Sequence, residues 1–455
     1  MIPQDSIVAL ATPSGAGAIA VIRISGQDAI TIGNSVFKSI KNKELTTQKT
    51  HTLHLGHIMD GSKTLDEVLV SIFKGPNSYT GENTIEISCH GSTYIQQQII
   101  QLLLRKGCRM ADAGEFTLRA FLNGKLDLSQ AEAVADLISS DNEASHQIAM
   151  QQMRGGFSNE IAKLREELLN FASLIELELD FAEEDVEFAN RDQLKSLILR
   201  LIAHISRLIS SFEMGNVLKN GVPIVIAGKP NVGKSTLLNA LLNEDRAIVS
   251  DIAGTTRDTI EDELNINGII FRFIDTAGIR DTADIIEAKG VERTLERMKQ
   301  AKLILYMVDA LQTPDELDEQ LTDLKKIDIP YLAIVNKADL FTDEQKIAFA
   351  KKEVLFLSAK ENVGVEELKT ALLAKVNLHS INTSETLVTN IRHLEALKQT
   401  EKALANVLNN IDNPVTSDFL AMDIKQALHY LGEITGEVTT DDLLENIFTK
   451  FCIGK

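Results

Sequence analysis

The chain has 455 residues, 44% apolar and 24% charged, a globular composition with room for roughly three domains of about 150 residues each. Its net charge of -19 excludes a protein that coats nucleic acid through a general excess of Lys and Arg, although a local basic patch stays compatible with it. Three widely spaced cysteines, Cys89, Cys108 and Cys452, with no CxxC, argue against a disulfide framework and for a reducing, cytoplasmic setting. No run reaches the roughly 18 uninterrupted apolar residues of a membrane span, and "MIPQDSIVALA" has no basic start before its apolar run, so no signal peptide is expected.

Residues 1–120 alternate short apolar runs with turn signals ("SIVALA", "TPSGAG", "AIAVIRISG", "TLDEVLVSIF", "GPNSYTGEN", "TIEISCHG"). This pattern predicts a mixed α+β domain with one helix over "STYIQQQIIQLLLRKG". From 121 to 217 the texture becomes helical. Ile161, Leu164, Leu168, Phe171 and Ile175 form one stripe, and Leu194, Ile198, Leu201, Ile205 and Leu208 a second. Such spacing predicts long packed helices, with the acidic stretch "LDFAEEDVEFAN" as a solvated connection between them.

Residues 218–378 alternate apolar strands ("VPIVIAG", "IIFRFIDTAG", "KLILYMVDA", "YLAIVNKAD", "EVLFLSAK") with helices. Continuous apolar strands predict a parallel sheet covered on both faces. Residues 379–455 return to helical spacing and are expected to pack on 121–217. The predicted architecture is therefore a multidomain chain: an α+β N-terminal domain, and a discontinuous helical domain (121–217 and 379–455) with an α/β P-loop domain (218–378) inserted in it.

"GKPNVGKST" follows directly on the strand "VPIVIA", the GxxxxGK[ST] phosphate loop in its confirming context. Backbone amides of Asn231, Val232, Gly233, Lys234, Ser235 and Thr236 are expected around the phosphates. Lys234 would reach the β- and γ-phosphates and Ser235 would hold Mg²⁺. "NKAD" (Asn336, Lys337, Ala338, Asp339) selects guanine: the Asp339 carboxylate can accept both the imino and the exocyclic amino proton, and adenine would leave it unpaired. "SAK" (Ser358, Ala359, Lys360) can offer amides to the guanine carbonyl. "DTAG" (Asp275, Thr276, Ala277, Gly278) supplies a carboxylate near Mg²⁺ and an amide for the γ-phosphate. In "SDIAGTT" (Ser250, Asp251, Ile252, Ala253, Gly254, Thr255, Thr256), Thr256 is the candidate switch hydroxyl on Mg²⁺. In this order the motifs resemble translation-factor-type GTPases. Small signalling GTPases carry a Gln after the DTAG glycine to orient water. Ile279 stands there in this chain, so help must come from Arg257, Arg280 or Glu287, or from a monovalent cation beside Asn231.

Beyond that domain the motifs "ATPSGAGAIAVIRISG", "YTGENTIEISCHG", "NGKLDLSQAEAVADLI", "GTTRD" and the terminal "FCIGK" resemble, nearly end to end, the MnmE (TrmE) family of tRNA modification GTPases. The resemblance implies a homodimer that joins an FAD-binding MnmG-type subunit in a heterotetramer. Together they would install an aminomethyl or carboxymethylaminomethyl group at carbon 5 of the wobble uridine of certain tRNAs. It implies a formyl- or methylene-tetrahydrofolate bound near Arg23, Glu82, Lys125 and Lys455. It also implies potassium on Asn231, Ser250, Ile252 and Thr255, and Glu287 as the residue that orients the attacking water. Cys452 is then either a nucleophile or acid near the folate, or part of a tail that only positions Lys455. As a prenylation box "CIGK" fits poorly. Two other readings stay open: a GTP-switched RNA or ribosome-assembly factor without modifying chemistry, and a folate-dependent one-carbon enzyme regulated by GTP. The first of these usually brings an RNA-binding module with a basic face, and none is visible.

Overall fold

The computed structural model describes residues 5–180, 190–245, 262–274, 300–308, 313–326, 329–342, 346–347, 349, 353–375, 386–411 and 417–454. Residue contacts sort the chain into two compact units. The first comprises Met1–Ser139, Ala149–Ser206 and Glu395–Lys455, the second Ser140–Ile148 and Arg207–Leu394.

In the first unit seven strands form one sheet: β1 (Ile7–Leu10), β2 (Ile19–Ser25), β3 (Phe37–Ser39), β4 (Thr52–Asp60), β5 (Lys63–Phe73), β6 (Thr84–His90) and β7 (Arg109–Met110). Their order is β3-β4-β5-β6-β2-β1-β7. Every neighbouring pair is antiparallel except β1 and β7. Alternate residues such as Ile22, Ile24, Val68, Val70, Ile85 and Ile87 turn into a core shared with helices α1 (Ala29–Val36) and α2 (Thr93–Arg105), the latter over the segment expected to be helical. Strand β4 was not among the strands read from the sequence. Its Leu53 and Leu55 point outward, which inverts the usual apolar-in signal that marks a half-buried strand.

Helices follow: α3 (Glu115–Leu122), α4 (Leu128–Ser139), α5 (Glu143–Met153), α6 (Gly156–Asp180) and α7 (Arg191–Asn220). Both predicted stripes are buried, apart from the half-buried Phe171. Residues 181–189 of the acidic connection lie outside the described residues. After the α/β segment come α11 (Ile391–Ile411), α12 (Ser417–Thr435) and α13 (Asp441–Phe448). Helix α12 lies along α6 and reaches α4, with Ile424, Ala427, Leu431 and Ile434 buried. The ion pairs Lys425–Glu176, at 2.5 Å, and Arg165–Glu437 bind α6 to α12 and to the turn that follows it. The C-terminal helices thus close on those that precede the α/β segment, as expected of a helical domain assembled from two stretches of chain.

The second unit holds a six-stranded sheet of order β13-β12-β11-β8-β10-β9. Its strands are β8 (Val222–Gly228), β9 (Asp262–Ile266), β10 (Ile269–Phe273), β11 (Leu303–Val308), β12 (Tyr331–Val335) and β13 (Val354–Phe356), accompanied by α8 (Lys234–Asp245), α9 (Pro314–Lys325) and α10 (Val365–Lys375). Along β8, Ile224 and Ile226 enter one apolar cluster while Val225 and Ala227 enter another, so both faces are covered. The sheet departs from the expected all-parallel form at one edge, where β9 runs antiparallel to β10. The link is the two-residue turn Asn267–Gly268, both with positive φ (52° and 83°), the geometry that Asn-Gly pairs give hairpins.

Candidate functional sites

The phosphate loop lies where the sequence placed it, between β8 and α8. Gly233 has φ +100°, and a Cβ there would sit 2.2 Å from the Asn336 amide nitrogen, so only glycine lets the loop pass this close to "NKAD". Lys234 donates from Nζ to the carbonyls of Gly228 (2.9 Å) and Lys229 (3.0 Å), and burial pushes its pKa down. Ser235 is half-buried and Thr236 exposed in the first turn of α8.

Asn336 is 3% exposed. Its side chain donates to the Val232 carbonyl at 2.8 Å and accepts from the Ala359 amide at 3.1 Å. It therefore ties the phosphate loop to "SAK". Lys337, with φ +59°, donates from Nζ to the Asn231 carbonyl at 3.0 Å. Asp339 accepts a hydrogen bond from the Ser358 hydroxyl at 2.7 Å. That bond, helped by its own backbone amide and least by the charge of Lys360, outweighs desolvation and holds its carboxyl below the usual range. An ionised carboxylate at this place can accept two N–H donors from one base edge. Ala338 opens the short 3₁₀ turn that presents Asp339, and Lys360 is exposed beside Glu361. The Ala359 amide, expected to face the guanine carbonyl, is committed to Asn336 in this structure.

Residues 250–257, 275–280 and 287 lie outside the described residues. The expectations for Ser250, Ile252, Thr255, Thr256, Asp275, Gly278 and Glu287 therefore have no geometry here, nor does that for Lys455.

The second site lies in the first unit, where the C-terminal tail meets the N-terminal sheet. Phe448 and Phe451 are buried with Leu128 and Ala131. Ile453 forms an antiparallel bridge with Ala113, and the Gly114 amide donates to the Cys452 carbonyl at 3.4 Å. Gly454, at φ +96°, passes so close to β1 that a Cβ would sit 2.2 Å from the Leu10 carbonyl oxygen. Arg23 Nη1 donates to the Gly454 carbonyl at 3.4 Å, while its Nε and Nη2 both reach Glu86 Oε1 at 2.8 Å. The Arg23 guanidinium lies 5.7 Å from the ring centres of both Tyr79 and Phe116. Cys452 is exposed.

Glu82 accepts from the Ser25 hydroxyl at 2.8 Å and from Arg119 Nη1 at 3.3 Å. Lys125 is exposed beside Gly81 of the "YTGEN" loop. Arg23, Glu82 and the tail thus share one end of the sheet. Sequence reasoning missed the groups beneath them. Arg119 is fully buried and bonded to Asp5 and Glu115 as well as to Glu82, and Arg109 reaches Asp5 and Glu115 at 2.7 and 2.6 Å. The only available signal was an arginine inside the apolar helix "EFTLRAFL".

Two family models match the chain: the GTP-binding protein TrmE N-terminus over residues 6–125, and the MnmE helical domain over residues 128–452. The chain is 66% identical to the tRNA modification GTPase MnmE of Flavobacterium johnsoniae and 64% identical to that of Flavobacterium psychrophilum, with 100% of each chain covered in both cases. Among solved structures, it is similar to an Aquifex aeolicus Era variant bound to GDP and aluminium fluoride, at 28% identity and a TM-score of 0.27, covering 40% of this chain and 66% of that one.

Proposed function

This chain belongs to the MnmE family of tRNA modification GTPases, and from that premise we propose that it is a potassium-assisted GTP hydrolase serving wobble-uridine modification. Its partner in that work is an FAD-binding subunit of the MnmG type, and the group installed at carbon 5 is aminomethyl or carboxymethylaminomethyl. The observation that carries the GTPase half is the lattice joining three motifs: Asn336 bonded to both Val232 and Ala359, and Asp339 oriented by Ser358. That lattice holds a guanine-reading carboxylate in fixed register with the phosphate loop. Lys234 would meet the phosphates, and Ser235 with Thr256 would hold Mg²⁺, which would supply positive charge to the phosphoryl group.

Potassium is supported by the chemistry of Asn231, an exposed oxygen-bearing side chain on the phosphate loop, and by Ile279 standing where a glutamine would orient water. Ser250, Ile252 and Thr255 complete its ligand set in this reading, and Glu287 orients the attacking water. The cation would take the place of an arginine finger.

The residues at the tail site also fit a folate. Among the described residues Glu82 Oε1 accepts only the long Arg119 bond and can take a pterin N–H, while Lys125, free of ion pairs among them, suits a glutamate carboxylate. When bound, the folate supplies the one-carbon unit. Arg23 holds the tail at Gly454, and in this reading Lys455 would be a further cation for the folate and Cys452 the thiol offered to it. A homodimer, a heterotetramer with the flavin subunit and a cytoplasmic location complete the reading. No helix among the described residues is long and apolar enough to cross a membrane.

GTP turnover in potassium against sodium buffer, with and without the flavin subunit, tests the cation. Turnover should fall on the order of 100-fold in sodium, and Asn231→Ala should erase the difference between the salts. Equal wild-type rates in the two salts would remove potassium from the mechanism.

A further inference from the structure

Charge is unevenly divided along the chain. Residues 1–125 hold 12 basic and 10 acidic side chains, a net +2, so the other 330 residues carry -21. Within the N-terminal part every arginine is bonded to a carboxylate: Arg23 to Glu86, Arg105 to Asp60, Arg109 to Asp5 and Glu115, and Arg119 to Asp5, Glu82 and Glu115. The lysines at the β3 edge are different. Lys38, Lys41, Lys43 and Lys49 are exposed, and among the described residues none has a carboxylate partner.

Glu44 is the one acidic residue between 37 and 52. The fold gathers these lysines rather than stringing them out. Lys38 stands opposite His57 in the β3–β4 ladder, and Lys43 is near enough to His54 for its charge to add to burial in lowering that imidazole's pKa. Lys74, from the end of β5, crosses to donate to the Thr46 carbonyl at 3.3 Å, which brings a fifth cation to the same loop. β3 lies four places from β2 in the sheet, or roughly 19 Å at about 4.8 Å per strand, on the same rigid sheet as Arg23.

Resting on the tRNA-modification reading, we propose that this lysine edge binds the phosphate backbone of the tRNA substrate. Binding of a polyanion runs on cations that have no carboxylate of their own, because each released counterion adds to affinity. A surface carrying -21 elsewhere repels RNA, so the N-terminal edge is where the backbone can approach. Lysines on an edge strand can also serve only to prevent strand-to-strand association, and the two roles predict different measurements.

The test is fluorescence anisotropy of labelled tRNA with the full chain over a range of potassium chloride concentrations, comparing wild type with the Lys38→Gln, Lys41→Gln, Lys43→Gln, Lys49→Gln variant. Removing four cations should raise Kd by about tenfold or more and flatten the slope of log K against log salt by roughly 3. GTP turnover should be unchanged, and the urea midpoint of the N-terminal domain should match wild type, which shows that the variant folds where it was changed. A control variant with Lys325, Lys346, Lys398 and Lys402 changed to Gln should bind as wild type does. Unchanged affinity and slope in the edge variant overturn the proposal, as does an equal loss in the control. Self-association of the edge variant with tRNA binding intact assigns the lysines to edge protection and overturns it. Loss of dimerisation with tRNA binding intact assigns them to a second copy and overturns it too. If wild type itself binds no tRNA, the functional reading falls along with this one, whereas wild-type binding with an indifferent edge variant sinks this inference alone.

Discussion

Arg119 has no exposed surface, yet three carboxylates converge on it. A buried cation of this kind is held because its partners satisfy it, and they are held in turn. The hydrogen bond from Arg109, partly offset by burial and aided by Arg119, keeps Asp5 below the ordinary carboxylate range. Burial alone would raise Glu115, but the bonds from Arg109, the Asp112 amide and Arg119 outweigh it, and its pKa is lowered as well. A carboxylate whose folded pKa is depressed contributes stability that is fully present above its unfolded value and is lost as pH falls through the folded value. The N-terminal domain should therefore hold its stability down to about pH 4.5 and lose it progressively below that. Arg119→Leu leaves Glu82 without its cation, and leaves Asp5 and Glu115 to Arg109 alone. It should cost about 3–5 kcal/mol near neutral pH, read as a lower urea midpoint, and the loss should shrink toward pH 4 as the carboxylates take up protons. A midpoint within error of wild type at pH 7 would show that the network does not hold this domain. Nothing in the spacing of "EFTLRAFL" announces these contacts, because Asp5 lies 114 positions away. The phosphate loop and "NKAD" were legible because a ligand dictates their local residue order, whereas Arg119 is dictated by distant chain.

At the scale of elements, legibility followed the strength of the burial pattern. The stripe through Ile161, Leu164, Leu168 and Ile175 gave α6 because all four are nearly or fully buried, and the continuous runs gave the interior strands of the α/β sheet. Strand β9 was missed even though "NINGII" carries an Asn-Gly hairpin signal, since its alternation rests on only two buried side chains, Leu264 and Ile266, beside the stronger apolar run that follows. The packing of α12 along α6 carries the claim that one helical domain is built from two stretches of chain. Ile424, fully buried on α12, tests it. Ile424→Ala should destabilise the unit containing α6 by about 2–5 kcal/mol through lost burial and the cavity left behind. Nucleotide affinity, which depends on the other unit, should stay at the wild-type level. Thermal unfolding followed with and without GDP separates the two. A single transition shifted equally in both conditions would mean that the units do not unfold as distinct bodies.

Across the whole molecule the two candidate sites fall in different compact units. Lys234, Asn336, Asp339 and Ser358 belong to the second, and Arg23, Glu82 and Cys452 to the first. A lesion confined to the tail should therefore spare the chemistry of GTP while removing that of tRNA. Gly454 is the sharpest place to make one. Its φ of +96° is a conformation that L side chains rarely adopt, and the Leu10 carbonyl leaves no space for a methyl group. Gly454→Ala should dislodge the last residues and free Arg23 from its tail contact. Its readout is chemical as well as functional. Burial pushes Cys89 up to about 11 and Cys108 up to about 12, so a thiol reagent at pH 8 should titrate only the exposed Cys452 in the native chain. In the variant the number of reactive thiols should remain one, because the sheet core is untouched, while modification of tRNA by the complete assembly falls to the level of a chain truncated after Lys450. Intrinsic GTP turnover should stay within about twofold of wild type, since the described residues of the nucleotide site and the tail belong to different compact units. If Gly454→Ala modifies tRNA as well as wild type does, the docked tail is a structural plug, and Cys452 has no part in the reaction.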